Sequence, residues 1–327
     1  MRALVVDDLL KDYAGCSLQQ VETPRPGPGE VLMRVRASGV NFTDLLQTRG
    51  EYQFKPPLPF ISGSEIAGEV EAVGEGVTAF APGDAVVGPP RIGGFSEFAT
   101  AAVADLQAKP EALSFAQAAA FGSAYITAYV ALVRRARIAP GEWLLVHGAG
   151  GGVGLAAVDL GVKLGARVIA ASSSDAKLET IRRDYAPEAT LNITGGFREQ
   201  VKALTGGAGA DVIYDPVGGD VFDESVRCIA FDGRLLVVGF TSGRIPSVSV
   251  NMPLIKGFSV VGVRAGEYGR KFPERGLENR RAIWSMAAQG ELRPRVDREF
   301  PLAQWREAFA HMDQRQVVGR TIIRPDL

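Results

Sequence analysis

The sequence predicts an α/β protein in which a doubly wound parallel-sheet domain is inserted between two parts of a β-rich domain. Its 327 residues are too many for one ordinary hydrophobic core, which favours two domains. The early part of the chain is interrupted by proline and glycine between short apolar runs, as in "GEVEAVGEGVTAFAPGDAVVGPP", a pattern typical of strands and turns. Further on, apolar strands alternate with helical segments, which indicates βαβ units and a parallel sheet.

The order of these elements sets the predicted domain boundaries. Short strands fill residues 1–120, the first part of the β-rich domain, and the Ala-rich helix "SFAQAAAFGSAYITAYVALVRRARI" follows them. In residues 121–265 the strands "EWLLVHG", "ARVIAASSS", "ADVIYD" and "GRLLVVGF" are separated by the helices "VGLAAVDLGVKLG", "DAKLETIRRDY" and "VFDESVRCIAF". Residues 266–327 return to the β-rich domain through the charged helix "RRAIWSMAAQGEL" and the last strand, "GRTIIRP".

Composition excludes several classes of protein. The formal net charge is −1, from 36 basic and 37 acidic residues, so the basic excess of a nucleic-acid binder is missing. No apolar run reaches the roughly 18 residues of a membrane span, and the acidic start "MRALVVDDLL" differs from a signal peptide. The two cysteines, Cys16 and Cys228, cannot build a disulfide framework or a cysteine-based zinc site. We therefore expect a cytoplasmic protein without a nucleic-acid or membrane partner.

A glycine-rich loop, "VHGAGGGVG", follows the apolar strand "WLLV" and precedes a helix. The spacing Ala149-x-Gly151-x-x-Gly154 is a variant of the dinucleotide-binding fingerprint, with alanine in the first small position. Gly151 would let the backbone approach a pyrophosphate, and Gly154 would let the helix pack closely on the strand. A flexible linker would also be rich in glycine, but the order of strand, loop and helix disfavours it. The predicted pyrophosphate-binding residues are Gly151, Gly152, Val153 and Gly154.

The end of the next strand indicates which dinucleotide is bound. NAD-selective sites place an acid there, about 20 residues after the glycines, to bond the ribose 2′-hydroxyl. This strand ends in "IAASSS", so Ser172 and Ser173 stand where the acid would be, and Lys177 follows. Hydroxyls and a cation suit a 2′-phosphate, which favours NADPH. Ser174 equally fits a helix N-cap and Lys177 a solvated helix face, so the missing acid carries most of this inference.

The motifs together resemble the medium-chain dehydrogenase/reductase superfamily, and within it the zinc-free NADPH:quinone oxidoreductase branch, which is zeta-crystallin-like. They occur in the order "GPGEVLMRVRASGVNFTD", "GSEIAGEVEAVGEGV", "PGDAVVG", "GGFSEFA", "GAGGGVG", "DPVGGDVF" and "GRLLVVGF", across nearly the whole chain. The resemblance implies a GroES-like β-rich catalytic domain and a Rossmann domain that binds NADPH. It also implies a homodimer, in which the Rossmann sheet extends across the interface through residues 247–251.

Two departures from the zinc-dependent branch of this superfamily select the reaction class. That branch carries a catalytic cysteine where this chain has Asn41, and a histidine where it has Ser64. Catalytic zinc needs three protein ligands, and the chain has only His147 and His311 as histidines. We therefore expect no metal. Alcohol oxidation would then lack the Lewis acid that stabilises an alkoxide, whereas reduction of a quinone or an electron-poor C=C bond needs none.

Three residues of the first domain are candidates for the site. Asn41 matches the family's asparagine near the nicotinamide, although a turn or cap residue would also be asparagine. Asp44 fits a helix-cap or structural acid better than a catalyst. Tyr52 matches an aromatic at the pocket edge that could gate or donate to a quinone oxygen, and an ordinary packed tyrosine fits equally well. The helix after Asn41 reads "DLLQTRG", without the tyrosine of many relatives, so no proton donor is named from it.

The remaining candidates come from the resemblance to the family's cofactor site. Thr127 matches a threonine placed against the nicotinamide. Phe240 and Ser242 match the loop that passes the nicotinamide face, at the end of a strand where ligands of open α/β sheets bind. Arg320 and Arg315 match basic positions that face the cofactor phosphates, and surface solvation explains both equally well. With Asn41 and Tyr52, Thr127 is also predicted to be catalytic.

The predicted reaction is hydride transfer from NADPH to a quinone or a related α,β-unsaturated carbonyl, with the protein supplying placement and a dry pocket. One alternative is a 2-enoyl thioester (enoyl-CoA) or enone reductase, for which the basic stretch "YGRKFPERGLENRRA" could bind a CoA phosphate if it is not simply solvated. A non-enzymatic alternative is an NADPH-binding, RNA-associated protein, which the balanced charge disfavours.

Overall fold

The computed structural model describes residues 1–90 and 93–327, which form two units by their internal contacts. Unit 1 comprises Met1–Gly122 and Pro294–Leu327, and unit 2 comprises Ser123–Arg293. Residues 266–293 therefore belong to unit 2, whereas the sequence placed them with the C-terminal part of the β-rich domain. Within the described ranges, no helix is both long and apolar enough to cross a membrane.

The β-strands and α-helices of the described residues have the following bounds. The strands are β1 (Arg2–Val6), β2 (Cys16–Gln20), β3 (Glu30–Gly39), β4 (Phe60–Ile61), β5 (Ile66–Val73), β6 (Ala85–Gly88), β7 (Phe98–Ala102), β8 (Gln107–Ala108), β9 (Trp143–Val146), β10 (Arg167–Ser172), β11 (Ala189–Asn192), β12 (Ala210–Asp215), β13 (Ile229–Val237), β14 (Ser259–Gly262), β15 (Val296–Pro301) and β16 (Arg320–Arg324). The helices are α1 (Phe42–Thr48), α2 (Phe115–Ala119), α3 (Gly122–Tyr129), α4 (Gly152–Lys163), α5 (Asp175–Tyr185), α6 (Arg198–Leu204), α7 (Gly219–Ser225), α8 (Asn251–Lys256), α9 (Ala265–Lys271), α10 (Pro273–Ala288) and α11 (Trp305–Asp313).

Unit 1 is β-rich, as predicted. Strands β2, β1 and β4 form one sheet, and the order β15-β16-β3-β5-β6-β8 forms another, to which β7 adds by pairing with β3. The long strand β3 alternates in the way its sequence requires: Met33 and Val35 are buried in the core, while Arg34 and Arg36 face outward and pair with glutamates of β5. Strand β16, from the C-terminal part of the chain, pairs with the end of β3.

Unit 2 is the predicted parallel sheet with helices between its strands. The strand order is β11-β10-β9-β12-β13-β14, and each neighbouring pair is parallel. Counted from β9, this is the order 3-2-1-4-5-6 of a doubly wound dinucleotide-binding sheet. The central strands are continuous buried apolar runs because both faces of the sheet are covered. The order reverses between β9 and β12, so ligands are expected at the carboxyl ends of these two strands.

Candidate cofactor site and buried polar cluster

The glycine loop lies at the carboxyl end of β9 and leads into α4. A Cβ on Gly154 would lie 2.2 Å from the carbonyl oxygen of Gly148, so only glycine fits this close turn. At Gly151, in contrast, the nearest heavy atom to an added Cβ is 3.4 Å away, an ordinary contact. The fold itself would thus accept a side chain at Gly151, and the bare backbone there leaves room for a ligand.

The start of α4 is suited to an anion. Gly151 is its N-cap, with extended backbone angles (φ −79°, ψ 162°), and no side chain of the described residues caps the helix there. The first-turn N–H groups of a helix have no acceptor within the helix, and they carry the positive end of its dipole. The predicted residues Gly151, Gly152, Val153 and Gly154 therefore form a cradle that fits a pyrophosphate.

The strand beside β9 ends in the predicted serines. Ser172 is 8% exposed, and its Oγ accepts a hydrogen bond from the Ser174 N–H at 3.3 Å. Ser173 is exposed at the end of β10. Ser174 is the N-cap residue of α5, but its side chain makes no capping bond. Of the three hydroxyls, that of Ser173 is the one most open to a ligand at this strand end.

Lys177 lies against the glycine loop. Its Cδ is 2.9 Å from the position that a Cβ of Gly150 would take, so the lysine stem covers the loop backbone. The first acid after the serines, Asp175, accepts a hydrogen bond from Asn192 Nδ2 at 2.7 Å. The structure thus brings Lys177 to the loop and holds the acid in a local contact, an arrangement that suits a phosphate better than a ribose hydroxyl.

Loops after β12 and β13 complete this edge of the sheet. Two hydrogen bonds from backbone N–H groups hold these loops in place. The Ser242 N–H donates to the Val217 carbonyl at 2.9 Å, and the Val217 N–H donates to the Asp215 carboxylate at 2.8 Å. Phe240 is 39% exposed, and its ring lies beside Gly218. Asp215 is not among the predicted site residues, although an acid directly before "PVGG" at a strand end is a signal that could have identified it. Burial raises the pKa of this carboxyl.

Thr127 is half-buried on α3. Its hydroxyl donates to the Ser123 carbonyl at 2.8 Å, so its oxygen remains as an acceptor for a ligand. The nearby Tyr125 is buried and donates to Asp159 at 2.6 Å, which ties it to packing within unit 2. The predicted role of Thr127 near the nicotinamide stays a prediction.

In unit 1, Asn41 lies in a buried polar cluster with Glu65 and Arg320. The Arg320 guanidinium donates through Nη2 to Asn41 Oδ1 at 2.8 Å and to Glu65 Oε2 at 2.7 Å. Asn41 Nδ2 donates to Glu65 Oε2 at 3.4 Å. Glu65 and Arg320 side chains are 6% and 7% exposed. The amide of Asn41 is therefore held by a desolvated ion pair.

Asp44 joins this cluster from α1. Its Oδ2 accepts from the backbone N–H of Asn41 at 2.8 Å, which caps the helix as expected, and its Oδ1 accepts from Ser64 Oγ at 2.8 Å. Burial disfavours the carboxylate and raises the pKa of Asp44 to about 6; nearby Glu65 acts in the same direction, while these hydrogen bonds and Arg320 oppose it. Asp44 is thus a buried acid that titrates near neutral pH.

The placement of Arg320 corrects one expectation. The sequence placed it against cofactor phosphates, but its charge is buried and neutralised by Glu65, so it has no exposed guanidinium to offer a phosphate. Arg315 is exposed after α11 with φ +54°. Tyr52 is half-buried in the segment between α1 and β4. The predicted roles of Arg315 and Tyr52 stay predictions.

The histidines lie in separate structural settings. His147 is fully buried with its Nε2 2.9 Å from Ser225 Oγ, and burial lowers its pKa to about 3. His311 Nε2 lies 2.6 Å from Asp297. In the described part of the chain, no three or more His, Cys, Asp or Glu side chains are grouped so that they could hold a metal ion.

Comparisons with known proteins agree with this architecture. A family model described as "Alcohol dehydrogenase GroES-like domain" matches residues 27–111, and one described as "Zinc-binding dehydrogenase" matches residues 152–279. A Nematostella vectensis protein named quinone oxidoreductase-like protein 2 homolog is 39% identical over 305 residues, 92% of this chain and 83% of that protein. Escherichia coli quinone oxidoreductase, solved in complex with NADPH, shares 28% identity with a TM-score of 0.90, over 99% of this chain and 100% of that chain. The CurK enoyl reductase shares 27% identity with a TM-score of 0.88, over 99% of each chain.

The fold and the glycine loop define a dinucleotide-binding oxidoreductase built from a GroES-like unit and a Rossmann unit. The chain belongs to the quinone oxidoreductase-like proteins of the medium-chain dehydrogenase/reductase superfamily. The predicted fold class and family are therefore confirmed. One matching family model is described as zinc-binding, whereas this chain has Asn41 and Ser64 at the positions where the resemblance implies zinc ligands in the zinc-dependent branch. The metal-free site stays a prediction.

Proposed function

We propose that this protein is a zinc-independent reductase that transfers hydride from NADPH to a quinone or a related α,β-unsaturated carbonyl. The observation that carries the proposal is the pair of neutral donors, Asn41 and Ser64, in the buried polar cluster of unit 1. Reduction of a conjugated carbonyl places negative charge on an oxygen, and amide and hydroxyl donors stabilise such a charge without a metal. Alcohol oxidation, in contrast, would need a Lewis acid at these positions.

NADPH is the cofactor that the residues of unit 2 fit. The first turn of α4 would hold its pyrophosphate, and Ser173 with Lys177 would hold its 2′-phosphate. Phe240 and Ser242 would lie along the nicotinamide, with Thr127 and Asn41 as polar contacts. When bound, the cofactor supplies the hydride; the residues of this chain orient it and exclude water.

A turnover panel tests the proposal. The purified protein is assayed with 1,4-benzoquinone, 9,10-phenanthrenequinone, an aliphatic enone and crotonyl-CoA, each with NADPH and with NADH. We expect turnover of a quinone or the enone with a preference for NADPH, because the end of β10 lacks the acid of NAD-selective sites. Absence of turnover with every acceptor would refute the reductase. Equal rates with the two cofactors would refute the role given to Ser173 and Lys177.

An enoyl thioester is the second candidate acceptor, and the likeness to an enoyl reductase favours it. The basic stretch expected to bind a CoA phosphate lies on α9 and α10 of unit 2. Arg270, however, forms an ion pair with Glu267 at 2.9 Å, and Glu278 of α10 forms one with Arg134 at 2.7 Å. Acidic residues are therefore interspersed with the basic residues of this stretch. A higher kcat/KM with crotonyl-CoA than with the free enone would favour the thioester; equal values would favour the smaller acceptor.

We also propose that the protein is a homodimer that pairs through β14. Strand β14 is the last in the parallel sheet, and α8 directly precedes it in the chain. Leu254 is 82% exposed and Ile255 is 72% exposed, while the adjacent Phe231 is 82% exposed. An open strand edge beside apolar side chains of this size fits a second copy of the same chain. Residues 247–251, through which the sheet was expected to extend, form no strand, since α8 starts at Asn251.

Sedimentation velocity tests the dimer. The wild type should sediment as a dimer at micromolar concentration, and Leu254→Asp should be a monomer because a charge would be buried at the interface. Leu204→Asp, at another exposed leucine of unit 2, is the matched control and should remain a dimer. A wild type that sediments as a monomer at these concentrations would refute this proposal.

A further inference from the structure

The buried carboxyl of Asp44 has one hydrogen bond more than helix capping requires. Capping uses Oδ2, which accepts from the Asn41 backbone. The second oxygen, Oδ1, accepts from the hydroxyl of Ser64, which precedes β5. This bond links α1 to the β5 segment and joins a carboxyl to a hydroxyl, two groups that can exchange a proton.

Ser64 is the more exposed residue of the hydrogen-bonded pair. Asp44 is 1% exposed, whereas Ser64 is partly exposed. Of the two hydrogen-bond partners of the carboxyl described above, the Asn41 N–H cannot pass on a proton, while the Ser64 hydroxyl both gives and accepts one. A proton held by Asp44 would therefore reach a substrate through Ser64.

We propose that Ser64 is the catalytic proton donor of the reductase and that Asp44 is a positioning residue that recharges it. This proposal rests on the proposed function, since it supplies the proton that hydride transfer to a conjugated carbonyl requires. Asn41, held by Arg320 and Glu65, lies in the same cluster and would orient the acceptor beside Ser64.

The proposed reduction conserves atoms and electrons. The hydride brings two electrons and one hydrogen nucleus to the acceptor, and the carbonyl oxygen or α-carbon becomes basic. The Ser64 O–H bond breaks as a new O–H or C–H bond forms on the acceptor. The Asp44 O–H bond breaks as the Ser64 hydroxyl is restored. Asp44 is left as a carboxylate, which later takes a proton from water by the same route.

Burial and neighbouring charges set the pKa of Asp44 near the pH at which the enzyme would work. The Glu65 carboxylate, next to Ser64, favours the protonated form, and the Arg320 guanidinium of β16 favours the ionised form. Burial has the largest effect, and it outweighs Arg320 and the two hydrogen bonds, so that the pKa of Asp44 is raised to about 6. The carboxyl is therefore protonated below pH 6 and increasingly ionised above it. A group with a pKa near the working pH gives up and regains a proton readily, which is what reprotonating Ser64 requires.

The experiment compares Ser64→Ala, Ser64→Thr and Asp44→Asn with the wild type in enone reduction, by pH profile and by solvent deuterium isotope effect on kcat. Ser64→Ala should lower kcat about 100-fold, the usual size of general acid catalysis, with little change in NADPH affinity. Ser64→Thr should retain activity because it keeps the hydroxyl. The fall of kcat as pH rises through about 6 should be present in the wild type and absent in Ser64→Ala and Asp44→Asn.

A matched control separates capping from proton transfer. Asp84 also accepts from a backbone N–H three residues earlier, that of Ala81 at 2.8 Å, and it is exposed. Asp84→Asn should leave kcat, pH profile and isotope effect unchanged. If Asp44→Asn fails to fold, Ser64→Ala still decides, since Ser64 is partly exposed. A Ser64→Ala enzyme with wild-type kcat and pH profile would overturn the relay alone, whereas a wild type without turnover would overturn the reductase as well.

Discussion

The buried ion pair between Arg320 and Glu65 offers a sharp test of the structure. Replacing Arg320 by methionine keeps much of its volume but removes the charge. Glu65 would then remain 6% exposed without its guanidinium partner, and Asn41 Oδ1 would lose its donor. An unpaired buried carboxylate either stays charged at a high cost or takes up a proton, and both outcomes destabilise the folded state.

The expected size follows from the burial of the pair. Removing one partner of a buried ion pair costs about 3–5 kcal/mol. For a unit of this size, each kcal/mol lowers Tm by about 2–4 °C, so Arg320→Met should lower Tm by roughly 10 °C. Replacing both partners, as in Glu65→Gln with Arg320→Met, should recover much of this loss because no lone charge is left.

Thermal unfolding followed by circular dichroism measures these effects, and a surface pair on the same sheet provides the control. Arg36 and Glu69 lie 2.8 Å apart but are 32% and 36% exposed. Arg36→Met should cost only about 0–1 kcal/mol because water screens the pair. If Arg320→Met melts within about 2 °C of the wild type, or no lower than Arg36→Met, the reasoning from burial is refuted.

Three further predictions concern the cofactor and the metal. Gly154→Ala should weaken NADPH binding at least tenfold in a fluorescence titration, because the added Cβ would lie 2.2 Å from the Gly148 carbonyl oxygen. The control is Gly195→Ala, which should bind NADPH normally because an added Cβ there meets nothing within 4 Å. Lys177→Ala should raise the Kd for NADPH about tenfold, the loss of one charged hydrogen bond, with no change for NADH; an equal loss for both cofactors would contradict the 2′-phosphate role. Incubation with EDTA followed by gel filtration should leave quinone turnover unchanged, and a loss restored by added zinc would contradict a metal-free site.

The parts of this protein that the sequence predicts are those set by local pattern. The parallel sheet follows from apolar strands separated by helices, and the glycine loop follows from spacing over a few residues. The contacts of Arg320 were not predictable in this way, since they join residues 255 and 279 positions apart in the chain. A basic residue near the end of the chain looks the same in sequence whether it faces solvent or a buried glutamate.

The bond between Asp44 and Ser64 and the boundary between the two units also depend on contacts between residues far apart in the chain. The sequence allowed a capping role for Asp44 because an acid three residues after Asn41 is a local signal. Its second bond, to Ser64, depends on how α1 packs beside β5, which no local pattern encodes. Helix α10 has a charged sequence that fits either unit, and only its contacts, such as Arg134 Nε to Asn279 Oδ1 at 2.7 Å, place it in unit 2.

The net charge of the buried polar cluster bears on the proposed reduction, in which neutral donors stand where a metal ion would otherwise stabilise negative charge. Its charged groups are one guanidinium, Arg320, and two carboxyls, Glu65 and Asp44. With Asp44 protonated the cluster is neutral, and with Asp44 ionised it carries one negative charge. An acceptor that receives hydride develops negative charge on its oxygen, which a neutral site with amide and hydroxyl donors tolerates better than an anionic one. In the proposed reaction, the protonated form of Asp44 would thus act in two ways: it would remove a nearby negative charge, and it would hold the proton that the reduction consumes.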